Sequence, residues 1–217
     1  MKSSSILAHR GWFLEPSEKN TEVAFQRAIS HGFGIETDIR DHNGHLVIAH
    51  DPPRDSPPPL TLEWFFALIQ SSGSQGRIAL NIKADGLMPM LRATQEAAGL
   101  GEDQAFVFDM SVPDAISFLG SKIHSYSRIS EYEPTPPFSD QIQGVWVDNF
   151  TGTFPQVSRA AELLEQGIRA AIVSPELHRR DPVPLWNDIL DSGIHAHPLF
   201  ELCTDLPSQA AEMFLTP

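Results

Sequence analysis

Glu36 and Asp38 stand two residues apart in the run GIETDIR. On a strand both carboxylates leave the same face, about 7 Å apart along the backbone. Two unpaired carboxylates this close repel and raise each other's pKa unless a cation sits between them. Oxygen ligands of this kind favour Mg²⁺ or Ca²⁺ over zinc. A solvated strand end, or an ion pair with Arg40, is the plainer alternative. His9 and His50 flank the pair in ILAHRG and LVIAHD. An imidazole with its ordinary pKa of about 6.5 exchanges a proton at neutral pH, which suits general acid–base work. Arg10 carries a two-pronged donor suited to phosphate or carboxylate. Lys83, in LNIKAD, shares a strand face with Asn81 and supplies a second positive charge.

These residues act together only if the chain brings several strand ends to one place. Apolar, β-branched runs recur along it: SSILAHRG, GIETDIR, RIALNIKAD, AFVFDM, HSYSRIS, GVWVDNF, RAAIVSPEL and PLFELCTD. Helix-like segments alternate with them, several opening on Asn, Thr or Ser and closing on Gly, and LPSQAAEMFLT completes the series. Eight strands mostly followed by helices predict an α/β fold, a parallel (β/α)₈ TIM barrel. Enzymes of that architecture keep their chemistry at the C-terminal strand ends. The 217 residues fall short of the roughly 250 typical of the fold. With no repeat, linker or composition break, they predict one domain over 1–217.

Two segments depart from simple alternation. Asn43-Gly44 signals a tight turn, so HLVIAHD is expected to fold back on GIETDIR as a hairpin. The fifth strand leads into EPTPPFSDQIQ, Pro-rich and poor in helix formers. This loop and DPPRDSPPP both follow strands, and are expected to shape the mouth of a site.

The hydrophobic fraction of 41% is that of a globular protein. A formal net charge of −13 argues against a nucleic-acid partner, whose phosphate backbone needs a basic face. It leaves room for a small anionic substrate, because a pocket's local charge can oppose the net charge. No apolar run approaches the roughly 20 residues of a membrane-spanning helix, and the start MKSSSILAHRG is too short in apolar residues for a signal peptide. Cys203 is the sole cysteine, so no intrachain disulfide forms and a cytoplasmic location is expected.

His9-Arg10-Gly11, Asn20-Thr21 opening a helix, Glu36-x-Asp38, the Asn-Gly hairpin and His50-Asp51 together resemble the glycerophosphodiester phosphodiesterase family. That family is similar in its barrel to phosphatidylinositol-specific phospholipase C. Lys83 and the closing Cys203-Thr204-Asp205-Leu206-Pro207 extend the likeness, which is weak between them. The resemblance implies cleavage of a glycerophosphodiester to glycerol phosphate and an alcohol. It implies His9 and His50 as the acid–base pair, in an order the sequence leaves open and read here with His9 as the base, and Glu36 and Asp38 as holders of a divalent cation, Mg²⁺ or Ca²⁺. Such a cation would acidify a glycerol hydroxyl so that it attacks phosphorus internally, through a cyclic phosphate. Arg10 and Lys83 would steady charge on the phosphoryl oxygens.

Three departures stand out. Asn81 occupies the position where the resemblance expects a metal-binding Glu, removing a charge that tunes cation affinity. Asp109, ending the fourth strand, either restores that charge or serves as an acid at the start of the helix in VPDAI. Lys19 replaces an acid ahead of Asn20-Thr21, with Glu18 adjacent to take over its role. Finally, PPRDSPPPL stands where a longer insertion is usual, so the insertion after the hairpin is short or absent. One side of the site is then expected to be open, suiting a bulky or polymeric phosphodiester as well as a small one.

Arg128, Glu131, Asp148, Glu176 and His178 fall near later strand ends and do not match the family pattern. Arg128 is a candidate phosphate contact or a partner of Glu131. Trp12 and Trp146 line a mouth or fill a core. His195-Ala196-His197 falls at the start of the last strand, away from the catalytic rim, and reads as structural. Two other functions share these residues: a cation-free phosphodiesterase with Arg128 in the metal's place, and a barrel that binds a phosphodiester without turnover. Asn81 favours the latter. The joint presence of both histidines, both acids, Arg10 and Lys83 favours an enzyme.

Overall fold

In the computed structural model, which describes residues 1–215, strict inward–outward alternation decides where each strand residue goes. The strands are β1 (Ile6–His9), β2 (Gly34–His42), β3 (His45–Ile48), β4 (Ile78–Ile82), β5 (Ala105–Phe108), β6 (His124–Ile129), β7 (Gly144–Val147), β8 (Arg169–Val173) and β9 (Phe200–Thr204). They form one sheet in the order β1-β9-β8-β7-β6-β5-β4-β2-β3, and a further β1–β2 pairing closes it. All neighbours pair in parallel except β3, which runs antiparallel on the outer length of β2 through the Asn43-Gly44 turn. The barrel is therefore the expected eight parallel strands with one hairpin strand added.

Helices α1 (Glu22–Ser30), α2 (Leu62–Ser72), α3 (Met88–Ala98), α4 (Val112–Phe118), α5 (Gln156–Glu165), α6 (Val183–Ser192) and α7 (Pro207–Leu215) surround the strands. Their starts and stops follow local chemistry. Thr61 accepts the Trp64 N–H at the head of α2, Gly73 ends that helix in the left-handed region, and Ser111 caps α4. The predicted run LPSQAAEMFLT becomes α7, its final Thr216 lying outside the described residues. Between β6 and β7 the described residues contain no helix, as the prolines dictate. From β3 to α2 an irregular, mostly exposed Pro-rich segment is all that stands where an insertion was expected to be short.

One strand face supplies Ile35, Leu80, Val107, Val145, Ile172 and Leu202 to the layer shared with the helices, meeting Phe25, Phe65, Leu163 and Phe214. The other face fills the barrel with Leu7, Ala79, Phe106, Phe108, Tyr126, Trp146, Ala171, Val173 and Cys203. At the N-terminal end of the barrel, Arg77 Nε lies 2.8 Å from Glu201 Oε1, and the Tyr126 hydroxyl bonds both residues at 3.0 Å. Gly144 makes room for this plug: a Cβ there would sit 2.4 Å from the Tyr126 ring. His195 and His197 also lie at this end, preceding β9 in a short 3₁₀ turn and its exit.

Candidate functional site

On six of the barrel strands the inward series changes from apolar to polar along its length, while β5 and β8 stay apolar to Phe108 and Val173. Leu7 is followed by His9, Gly34 by Glu36 and Asp38, Ala79 by Asn81, Tyr126 by Arg128, Trp146 by Asp148, and Cys203 by Asp205. Register sets these ends side by side: His9 pairs with Glu36, and Asp38 with Asn81. A cavity of ≈ 180 Å³ opens there, lined among others by His9, Arg10, Glu36, Asn81, Asp109, Trp146, Asp148 and His178. Trp146 forms part of its wall while stacking on Phe108 at 3.9 Å, so it serves both as lining and as core. Trp12 packs outside the barrel against His31 and Phe33.

The turn after β1 explains the His-Arg-Gly run. Arg10 (φ 57) and Gly11 (φ 81) are both in the left-handed region, reversing the chain directly after His9. The Arg10 N–H donates to the Glu36 carbonyl at 2.8 Å and approaches Glu36 Oε2 at 3.1 Å. A Cβ on Gly11 would meet Ala24 at 2.8 Å, so glycine is required twice over. Asn20 then crosslinks β2 from above. Its amide donates to Asp38 Oδ2 at 2.9 Å, and its carbonyl accepts from Thr37 at 2.8 Å.

Asp38 is fully buried and balanced by two cations, with Arg10 Nε at 2.9 Å and Lys83 Nζ at 3.4 Å. Arg40 makes no such pair; it donates to the carbonyls of His50 and Lys83. Glu36 lacks an equivalent cation of its own. Burial pushes its carboxyl up to about 7, with the charge of Asp38 adding to the rise and His9, Arg10 and Lys83 opposing it.

His9 Nδ1 lies 2.6 Å from Asp205 Oδ1. A carboxylate only accepts, so Nδ1 carries the proton and the lone pair of Nε2 is left, 3.9 Å from Glu36 Oε2. Burial pushes the Asp205 carboxyl up, but the His9 bond and charge, together with Lys19, outweigh it and hold it below its ordinary range. Lys19 Nζ stands 3.4 Å from Asp205 Oδ2, whereas Glu18 turns away to pair with Arg27 at 2.7 Å. Glu18 therefore fastens the β1–α1 turn and does not take over a role in the cavity. Behind Asp205, Glu176 accepts from its N–H and from the Thr204 hydroxyl, and Ser174 links Glu176 to the indole of Trp186.

Around the rim, Arg128 reaches Asp109 at 3.1 Å and Glu133 at 2.8 Å. Glu131 accepts instead from the N–H groups of Phe150 and Thr151, in the turn after β7. Asp109 lies in the left-handed region and faces the cavity, and Ser111 takes the capping position of α4. Burial raises its carboxyl against the pull of Arg128 and Lys83. His50 is 46% exposed, bonded through Nδ1 to Asp51 at 2.9 Å, and is not part of the cavity lining. His178 does line it, with Nε2 held 2.7 Å from Asp148 Oδ1.

A divalent cation finds a partial fit here. Glu36, Asn81 and Asp109 line one cavity, and Asn81 Oδ1 is buried without a hydrogen-bond partner. Asp38, expected to share the cation with Glu36, is instead occupied by Arg10, Asn20 and Lys83. Among the described residues no group of three or more His, Cys, Asp or Glu side chains gathers as metal ligands do. The donor set is hard oxygen, which suits Mg²⁺ or Ca²⁺.

Asp205, Asp148 and His178 were not singled out as site residues from sequence. The Thr-Asp-x-Pro run carried a hint of Asp205, but its contact with His9 spans 196 positions. His178 stands in a 3₁₀ turn beyond β8, where strand alternation assigns no direction.

No family model and no curated protein matches the chain in sequence. Solved structures do. A glycerophosphodiester phosphodiesterase from Agrobacterium tumefaciens str. C58 superposes with a TM-score of 0.67 at 14% identity, covering 98% of this chain and 99% of that one. A glycerophosphoryl diester phosphodiesterase from Parabacteroides distasonis ATCC 8503 gives 0.68 at 16% identity, covering 98% and 87%. At such identities the likeness establishes the fold: this chain has the barrel of those proteins over nearly its whole length.

Proposed function

We propose that the protein is a phosphoric diester hydrolase that cleaves a glycerophosphodiester to glycerol phosphate and an alcohol. The observation that carries this reading is the His9–Asp205 pair at 2.6 Å, opening on the same cavity as Arg10, Glu36 and Asn81. The barrel shared with two proteins described as glycerophosphodiester phosphodiesterases supports it.

Asp205 fixes the tautomer of His9 and stabilises the imidazolium that forms when Nε2 takes a proton from a glycerol hydroxyl. The hydroxyl oxygen attacks phosphorus and gives a cyclic phosphate. Arg10 and Lys83, held by Asp38, present fixed positive charge to the phosphoryl oxygens. Glu36 and Asn81, with Asp109 beside them, would hold Mg²⁺ or Ca²⁺, which when bound supplies Lewis-acid polarisation of phosphate and hydroxyl. A cavity of ≈ 180 Å³ is smaller than the roughly 300–1,000 Å³ of drug-sized pockets, so the phosphate end of a substrate enters and the rest of the alcohol stays at the mouth. A small head-group diester fits this better than a polymer. With no helix among the described residues long and apolar enough to cross a membrane, a cytoplasmic enzyme acting on free diesters is the accompanying proposal.

The test is release of glycerol phosphate from glycerophosphocholine in EDTA, then with added Ca²⁺ or Mg²⁺. Activity lost in EDTA and restored by one cation is the expected result. Activity indifferent to EDTA would overturn the cation assignment, and no turnover in any condition would overturn the hydrolase reading.

A further inference from the structure

The pairing of β8 with β9 stops just short of the residue that orients His9. Val173 pairs with Cys203, and the Ser174 N–H donates to the Cys203 carbonyl at 2.9 Å. The two segments then part. Pro175–His178 form a 3₁₀ turn, and the Asp205 N–H donates to a side chain, Glu176 Oε1 at 3.0 Å.

Three donors converge on Glu176: that N–H, the Thr204 hydroxyl and the Ser174 hydroxyl. The direction of each bond is fixed by its surroundings. The Trp186 indole N–H can only donate and lies 2.9 Å from Ser174 Oγ, so this oxygen accepts it and turns its own hydrogen to Glu176. Thr204 Oγ1 likewise accepts the Leu206 N–H at 3.0 Å and gives its hydrogen to Glu176. Ser174 and Thr204 are fully buried, and Trp186 is buried in the helix layer. A carboxylate, which only accepts, answers all three donors, whereas an amide would leave at least one of them unmet.

On the basis of the hydrolase reading above, we propose that Glu176 is a positioning residue for the base: it holds the Asp205 backbone so that the carboxylate meets His9 Nδ1 at 2.6 Å. Asp205 stands one residue past the end of β9, so strand pairing does not set its direction. Its other oxygen faces Lys19 Nζ at 3.4 Å, on a flexible four-carbon stem that supplies charge more than direction. The rigid support comes instead from Glu176, which Ser174 ties to Trp186 in α6. The tautomer of His9 follows from it, because the bond at one ring nitrogen decides which nitrogen carries the proton.

Tautomer and turnover test this assignment separately. Nitrogen NMR of the His9 imidazole at about pH 8.5, where an ordinary histidine is neutral, reads which ring nitrogen is protonated. Wild type should show the proton on Nδ1, and Glu176→Ala should shift it towards Nε2. On glycerophosphocholine, Glu176→Ala should lower kcat about 10–100-fold with KM changed about twofold or less. In an Asp205→Ala background the same substitution should change kcat about twofold or less, because the residue it acts through is gone. Glu176→Gln keeps an oxygen for the Asp205 N–H and should lose less in both readouts; it carries the comparison if the alanine variant does not fold. An unchanged tautomer, or equal losses in both backgrounds, would overturn the assignment and leave the hydrolase reading intact. A wild type without turnover would overturn that reading, and the tautomer alone would then decide on Glu176.

Discussion

At the level of single residues, the cavity works by giving each charged group a different surrounding. Asp38 and Glu36 leave the same strand face, yet Asp38 has Arg10 and Lys83 while Glu36 has chiefly burial, and its carboxyl rises to about 7. The sign of the consequence is fixed by linkage. Between the ordinary value of 4.5 and about 7, the folded chain binds more protons than the unfolded one, so stability falls as pH rises through that window. Denaturant titrations of cation-free protein from about pH 4.5 to about pH 8 should show that fall, and Glu36→Gln should flatten it. A curve unchanged by the substitution would place the effect elsewhere. Asp205 makes the opposite case, a carboxylate kept charged to orient His9. Asp205→Asn should lower kcat by about 10²–10⁴-fold with little change in KM, measured on the same diester.

At the level of elements, the turn after β1 and the register of β1, β2 and β4 do the positioning. Gly11→Ala would put a Cβ 2.8 Å from Ala24 at φ 81. Overpacking and left-handed strain together should cost at least about 2 kcal/mol, read from chemical denaturation, with activity lost as Arg10 shifts. Much at this level was legible beforehand. The period-two runs, the Asn43-Gly44 hairpin and the missing helix after β6 followed from local chemistry, because turn residues and prolines act on their own neighbours. The inward direction of Glu36 and Asp38 followed from their spacing once a barrel was assumed. Pairings between distant segments were not legible. Arg128 reached Asp109 at the end of β5, and Lys19 reached Asp205 beyond β9. Each depends on loop paths that nothing in the local pattern encodes, and His178 emerged for the same reason.

At the level of the whole molecule, the barrel divides stability from chemistry along its axis. The N-terminal end is closed by Arg77, Tyr126 and Glu201, all buried, with Arg169 at 3.6 Å from the same carboxylate. Removing one partner strands the buried charge of the other. Arg77→Leu should therefore destabilise the fold by about 3–5 kcal/mol, while the surviving folded protein keeps its KM, because the cavity lies at the opposite end of the strands. A KM change in that variant, against unchanged stability, would contradict the division.

The proposed hydrolysis depends above all on His9 as the proton-accepting group. Phosphorus NMR of glycerophosphocholine incubated with wild type and with His9→Asn, with Ca²⁺ or Mg²⁺ present, tests that in one measurement. The wild type should convert the diester signal to that of glycerol phosphate, and His9→Asn should slow the conversion by about 10²-fold or more. Conversion at the same rate by both proteins would contradict the central claim.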